Sequence, residues 1–343
     1  MGEFKFAKEK WSDLLDALTD RQVFVPQEKG GTVRFAPAGK DSVLPEGYSN
    51  TTVPAKELMF PETETLFRYR LGSTDIEPKV PEGEARRVVI GIRPCDAQAH
   101  SIVDRLWEWD WTDPYYRYRR AATTLVGLGC AEPSANCFCP SLGGGPASGE
   151  NVDTLLFDLG DTFYLKTLTE KGDELAGALS GVLEAAGDAE KKAAEAQAEE
   201  ALAKIKRSIA TEGIAERLPS LYDHPFWEQF SDRCLGCGIC TYLCPTCHCF
   251  DIQDESEGFE ARRARMWDTC MFAEYTLHAS GHNPRPTRKE RTRNRVSHKY
   301  SYYPKNFEVI ACVGCGRCID NCPVNIDILD ILEKSKDAQV KEA

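Results

Sequence analysis

Two cysteine runs repeat one spacing. Cys234, Cys237, Cys240 and Cys244 are followed by Pro245, and Cys312, Cys315, Cys318 and Cys322 by Pro323. This C-x2-C-x2-C-x3-C-P pattern holds paired [4Fe-4S] clusters, with three thiolates of a run on one cube and the fourth on the other. It predicts one cube on Cys234, Cys237, Cys240 and Cys322, and a second on Cys312, Cys315, Cys318 and Cys244. Glycines at 236, 238, 314 and 316 let each loop bend tightly around its cube, where backbone N–H groups meet the inorganic sulfides. Tetrahedral zinc on paired C-x2-C motifs needs four ligands and has no use for the third internal cysteine and the C-P of each run.

Seven of the fifteen cysteines remain. Cys95, Cys130, Cys137 and Cys139 each follow a strand-like segment, so their turns can converge; a third [4Fe-4S] cluster, a zinc ion and reduced structural thiols all suit them. The glycine triplet at 143 to 145 is not set between a strand and a helix and runs into Pro146, so it reads as a turn or cluster wrap rather than a phosphate loop. Cys247, His248, Cys249 and Cys270 could bind zinc or a further cluster, or pack as buried thiols beside the cubes, which is the simpler reading. No catalytic residue and no cofactor site beyond the cluster ligands is assigned.

The elements that must hold these residues are partly legible. Trp11, Leu14, Leu15 and Leu18 mark a short amphipathic helix. Residues 23–25 and 33–35 read as a hairpin. A proline-rich stretch to about Pro81 has no period and reads as an extended wrap. Residues 88–92 form a buried strand ending at Arg93-Pro94-Cys95-Asp96, with Asp96 as candidate N-cap of a helix carrying Ala99, Ile102, Val103 and Leu106. Residues 123–128 form a second strand, and 155–157 with 163–165 a hairpin. From Asp173 to Ile214 the chain is rich in Ala, Glu and Lys and has no aromatic residue; a break at Gly187-Asp188 suggests two helices. Tyr222, Phe226, Trp227 and Phe230 should wall the first run. The insert of about 70 residues between the runs favours a ferredoxin of the α-helical kind, whose insert supplies helices.

The expected architecture is therefore an α/β (or α+β) domain over 1–168, an Ala/Glu-rich helical hairpin or linker over 169–218, an α-helical dicluster ferredoxin domain over 219–335, and a flexible tail over 336–343. The net charge of −12 (42 basic against 54 acidic residues) argues against nucleic acid as a ligand. Clustered thiols and the lack of an apolar leader suggest a reducing cytoplasm, and no stretch approaches a membrane span. The segment from Arg285 to Lys305 is locally basic, with Glu290 its single acid. It could stabilise reduced, anionic cubes or dock an acidic partner.

Several motifs together resemble one family: Gly91-Ile92-Arg93-Pro94-Cys95-Asp96, Asp113-Pro114-Tyr115-Tyr116, Cys137-Phe138-Cys139, the Cys244–Asp251 segment and the Cys312–Cys318 loop. It is the family of the iron-sulfur beta subunit of cytoplasmic sulfhydrogenases and of its iron-sulfur counterpart in anaerobic sulfite reductase, with relatives in flavin oxidoreductase complexes feeding heterodisulfide reductase. The resemblance spans residues 85 to 330. It implies an electron-transfer subunit that relays electrons from or to a flavin/NAD(P)H-binding subunit, with a terminal redox subunit of hydrogenase, heterodisulfide reductase or sulfite reductase type at the other end. It also favours a third cluster on Cys95, Cys130, Cys137 and Cys139. The absence of a G-x-G-x-x-G fingerprint agrees with nucleotide binding by a partner. The rival readings are a reductase whose α/β domain reduces a small substrate at a cluster, and an iron-sulfur redox-sensing regulator.

Overall fold

The computed structural model describes residues 2–83 and 85–339. Its centre is an eight-stranded mixed sheet, built from β1 (Glu3–Ala7), β2 (Gln22–Lys29), β3 (Thr32–Pro37), β6 (Arg87–Ile92), β7 (Thr123–Leu128), β8 (Thr154–Asp158), β9 (Thr162–Thr167) and β10 (Glu184–Ala185). The order is β10-β1-β9-β8-β7-β6-β2-β3. The β2, β6, β7 and β8 neighbours run parallel, and antiparallel strands flank them on both sides.

Every residue of β6 and β7 is buried, as expected of parallel strands covered on both faces. Val88, Ile90, Val126 and Leu128 face a layer containing helix α1 (Trp11–Asp16) and α4 (Glu170–Ala178). Val89, Ile92 and Leu125 face the layer of α2 (Pro94–Trp107) and α5 (Asp188–Lys204). Helix α3 (Pro114–Ala122) feeds β7, with the Asp113 side chain accepting the Tyr116 N–H at 2.8 Å as its N-cap.

The Ala/Glu-rich segment is not a helical hairpin. Between α4 and α5 the chain returns to the sheet as β10, which pairs with β1, and Ala194 and Ala201 of α5 are buried. Alanine's small side chain lets α5 lie close on the sheet, so the segment belongs to the α/β layer.

The proline-rich stretch also has a place. It supplies β4 (Thr63–Arg70) and β5 (Ile76–Pro78), which join β11 (Phe250–Glu257) and β12 (Glu260–Trp267) in a four-stranded antiparallel sheet ordered β11-β12-β4-β5. Part of the insert between the cysteine runs is therefore a β-hairpin, not helix, and it pairs with a segment about 190 residues earlier in the chain. At the junction, buried Glu64 accepts the Arg265 Nε–H at 3.0 Å and Arg119 Nη1–H at 2.8 Å.

The remaining helices surround the runs: α6 (Ile214–Ser220), α7 (Glu228–Ser231), α8 (Ile239–Tyr242), α9 (Arg288–Ser297), α10 (Tyr303–Phe307), α11 (Arg317–Asp320) and α12 (Ile328–Asp337). Phe226, Trp227 and Phe230 are buried among α6, α9 and α12, whereas Tyr222 is half exposed beneath the Arg293 guanidinium. Helix α12 continues into the expected tail as far as Asp337, and Arg217 Nη2 donates to the Ala338 carbonyl; residues 340–343 of that tail lie outside the described residues. Among the described residues no helix is long and apolar enough to cross a membrane.

Candidate metal centres

The two runs fold as near copies. Gly236, Gly238, Gly314 and Gly316 all hold positive φ, between 65 and 75°, which turns each loop back on itself before α8 or α11. Cys234, Cys237 and Cys240 line a cavity whose far wall carries Cys322, Val324 and Ile326. The fourth cysteine of the second run thus faces the first three of the first. The Ile326 N–H donates to Cys322 Sγ at 3.2 Å and the Gly236 N–H to Cys234 Sγ at 3.4 Å, as thiolate ligands require.

Cys244 lies beside the start of the second run. Lys299 Nζ donates to Cys244 Sγ at 3.2 Å, to Thr246 Oγ1 at 3.0 Å and to the Ala311 carbonyl at 2.9 Å. Thr246 Oγ1 also donates to the Ala311 carbonyl at 2.6 Å. One buried ammonium thereby stitches the end of the first run to the residue preceding Cys312. Lys299 sits in a π-helical turn, His298–Tyr302, continuing α9, and such turns re-aim side chains at functional sites.

Part of the basic segment is turned inward, while Arg288 and Lys305 stay exposed. Arg291, Arg293, Arg295 and Lys299 are buried. Arg295 lines the first cavity, with one hydrogen bond to the Cys240 carbonyl at 3.2 Å and its Nε unpaired. Burial alone would push Arg295 and Lys299 toward their neutral forms, but the thiolate charges of Cys240 and Cys318 beside Arg295, and of Cys244 and Cys247 beside Lys299, hold both above their ordinary pKa. Buried cations facing thiols fit an anionic group. Among the described residues no three Cys, His, Asp or Glu side chains converge on one ion, whereas a cube spreads its thiolates over a wider space. The residues fit iron-sulfur cubes.

The third group is assembled by the sheet. Because β6 and β7 are adjacent and parallel, their following turns leave at the same sheet edge, which brings Cys95 and Cys130 together. Arg93 fixes this edge, donating to the Gly129 carbonyl at 2.6 Å, to Leu128 at 3.2 Å and to Ser49 at 2.9 Å, while stacking on Tyr48. Asp96 is not the N-cap: Arg93 holds that position without a side-chain cap, and Asp96 lies in the first turn of α2. There its carboxylate meets Arg317 of the second run at 2.6 and 2.7 Å, with both side chains buried.

The Cys137–Cys139 loop lies against the second run backbone to backbone, with the Phe138 N–H donating to the Gly314 carbonyl at 2.8 Å. Asn50 bridges the two regions, donating to the Cys315 carbonyl at 3.3 Å and accepting from Cys95 Sγ at 3.6 Å. Cys137 Sγ reaches the Cys315 carbonyl at 3.7 Å. Burial raises the Cys137 and Cys139 thiols to about 12, and raises Cys95 and Cys130 as well, so these thiols stay neutral unless a metal displaces their protons. Residues 48–51, which carry Tyr48, Asn50 and Thr51 to this junction, lie in the aperiodic stretch and have no local signal that could have revealed them.

A Cβ at position 314 would stand 2.6 Å from the Cys139 nitrogen and the Phe138 carbonyl carbon, at a φ of +65°. Gly314→Ala should therefore lose more than the ~1–2 kcal/mol of the left-handed backbone alone, because the loops must part. Anaerobic thermal melting should show the loss, and Gly258→Ala, at a φ of +62° with no atom within 4 Å of the added Cβ, should show only the backbone part of it.

Of the second-tier residues, Cys247 lies against Cys244, while Cys249 and Cys270 contact each other and line a separate cavity. A hydrogen bond from Cys270, opposed by burial and helped by Tyr275, brings the Cys249 thiol down to about 6.

Residues 233–326 match the 4Fe-4S dicluster domain family. Over 324 residues, 93% of each chain, the sequence is 30% identical to sulfhydrogenase 2 subunit beta of Pyrococcus furiosus. No solved structure matches. Full-length similarity at this level, together with the dicluster domain, places the protein in the sulfhydrogenase beta-subunit family as an iron-sulfur electron-transfer subunit.

Proposed function

We propose that this chain is a three-cluster relay, with a flavin/NAD(P)H-binding subunit at one end and a terminal redox subunit at the other. Cys234, Cys237, Cys240 and Cys322 hold the first cube; Cys312, Cys315, Cys318 and Cys244 hold the second; Cys95, Cys130, Cys137 and Cys139 hold the third. The observation that carries the reading is the backbone contact between Phe138 and Gly314. It sets the third group beside the second run, whose fourth cysteine reaches the first cavity, so the three groups form a continuous series. Cubes supply one-electron transfer with little rearrangement, and the chain's own contribution is spacing, exclusion of water and buried positive charge.

Anaerobic native purification followed by identification of the co-purifying chains tests the reading. A flavoprotein and a terminal redox chain should accompany the protein, with about 12 iron atoms per copy of this chain itself for three cubes. An intact, cluster-loaded chain emerging alone would sink the relay, and about eight iron atoms would remove the third cube.

Lys299→Met offers a finer test. Loss of the ammonium 3.2 Å from Cys244 removes stabilisation of the more negative, reduced cluster. The second cube's midpoint should fall by on the order of 100 mV at an effective dielectric near 20, as read by potentiometric EPR. An unchanged midpoint would show that Cys244 does not ligate that cube.

A further inference from the structure

The hairpin of β11 and β12 has two cysteines at its base that neither run uses. Phe250 pairs with Trp267, and one step outward the Asp268 N–H donates to the Cys249 carbonyl at 3.0 Å. The register therefore carries Cys249, before β11, alongside Cys270, just past the end of β12. Cys249, Cys270 and Tyr275 pack in one cluster at the base of the hairpin. The loop holding Cys270 is fixed by Thr269, whose Oγ1 accepts the Met271 N–H at 3.0 Å and the Thr241 hydroxyl at 2.5 Å.

The pair has two sides. On one it packs with Cys234, Cys240 and Met271, the wall of the first cavity. On the other both sulfurs line an open cavity with about 1040 Å³ of empty space, together with His248, Tyr275, Arg285 and His298. A dithiol wedged between an electron-carrying centre and an open pocket that carries the Arg285 guanidinium suits disulfide chemistry. Closing the pair would bring the two sulfurs to about 2.05 Å.

We propose that Cys249 and Cys270 form a redox-active dithiol–disulfide pair that passes electrons from the first iron-sulfur site to a small, carboxylate-bearing disulfide bound in this cavity. The proposal rests on the relay reading for its source of electrons. The pair's own S–S bond opens with two electrons, taken one at a time, and two protons, giving two thiols. Cys249 then attacks one sulfur of the bound disulfide, forming a mixed disulfide and releasing the first thiol. Cys270 attacks Cys249 Sγ, expelling the second thiol and restoring the internal S–S bond. Cys249 is the less buried of the two, which marks it as the attacking sulfur, and Arg285 supplies the charge for a carboxylate.

The test uses the full cluster-loaded chain under anaerobic conditions, with glutathione disulfide as the probe. After mild oxidation, alkylation and peptide mapping should find Cys249 joined to Cys270; after reduction with photoreduced deazaflavin both should be alkylated. Cys249→Ser and Cys270→Ser should keep the iron content and cluster EPR of the parent. Glutathione release should fall to the buffer level in both, and Cys270→Ser should accumulate a glutathione adduct on Cys249. Persistent free thiols after oxidation, unchanged turnover in Cys270→Ser, or loss of iron in either variant would each overturn the proposal. The two readings fail separately. A pair that closes in a chain holding no first cube counts against the relay, and intact cubes beside a pair that never closes count against the dithiol.

Discussion

Cys322→Ser is expected to remove the cluster of the first run, not that of the second, with a loss of about four iron atoms per chain. Cys322 shares its cavity with Cys234, Cys237 and Cys240, although it lies 82 or more positions after each in the chain. Cys244→Ser should do the reverse. It leaves Lys299 buried with its remaining partners Thr246 and Ala311 and should abolish the spectrum assigned to Cys312, Cys315 and Cys318. Mössbauer or EPR spectra of the two variants, compared with those of Cys234→Ser and Cys312→Ser, check the pattern. Cys322→Ser should resemble Cys234→Ser, and Cys244→Ser should resemble Cys312→Ser. Pairing of each variant with its own run would overturn the crossed ligation.

Asp96→Ala should destabilise the chain by about 3–5 kcal/mol, because it leaves the Arg317 guanidinium buried without its counter-charge. Burial opposes that charge, and the carboxylate of Asp96 is its strongest support, with the Cys315 thiolate next. Arg317 also donates to the Thr51 carbonyl at 2.8 Å, so the unpaired cation would disturb the junction between the third group and the second run. A double variant, Asp96→Leu with Arg317→Met, should recover most of the loss, since removing both charges removes the desolvation cost with them. Anaerobic denaturant titration of the single and double variants measures this. Equal destabilisation in both would mean that the pair contributes through shape and not through charge.

The sequence alone determined the chemistry. Short intervals within each run fix three thiolates on one turn of backbone, and this local geometry survives any tertiary arrangement. Strands 88–92 and 123–128 were legible for a similar reason, since β-branched runs buried on both faces carry their own signal. The basic segment was visible as charge, but its direction was not. Arg295 and Lys299 face the cysteines because α9 and the following π-helical turn pack against both runs, and no spacing rule encodes that.

Tertiary structure alone decided how the groups meet. Asp96 looked like a cap because its type suits one, yet a buried arginine 221 positions away claimed it. Residues 48–51 and 63–70 lacked any period because their partners lie in distant parts of the chain: Arg93, Arg317 and β12. The 173–214 segment advertised helices through its alanines, while the two-residue strand β10 that anchors it to β1 is too short to have a pattern. Ligand identity is written in local spacing, whereas the order of the centres depends on contacts between segments far apart in sequence, which only the folded chain brings together.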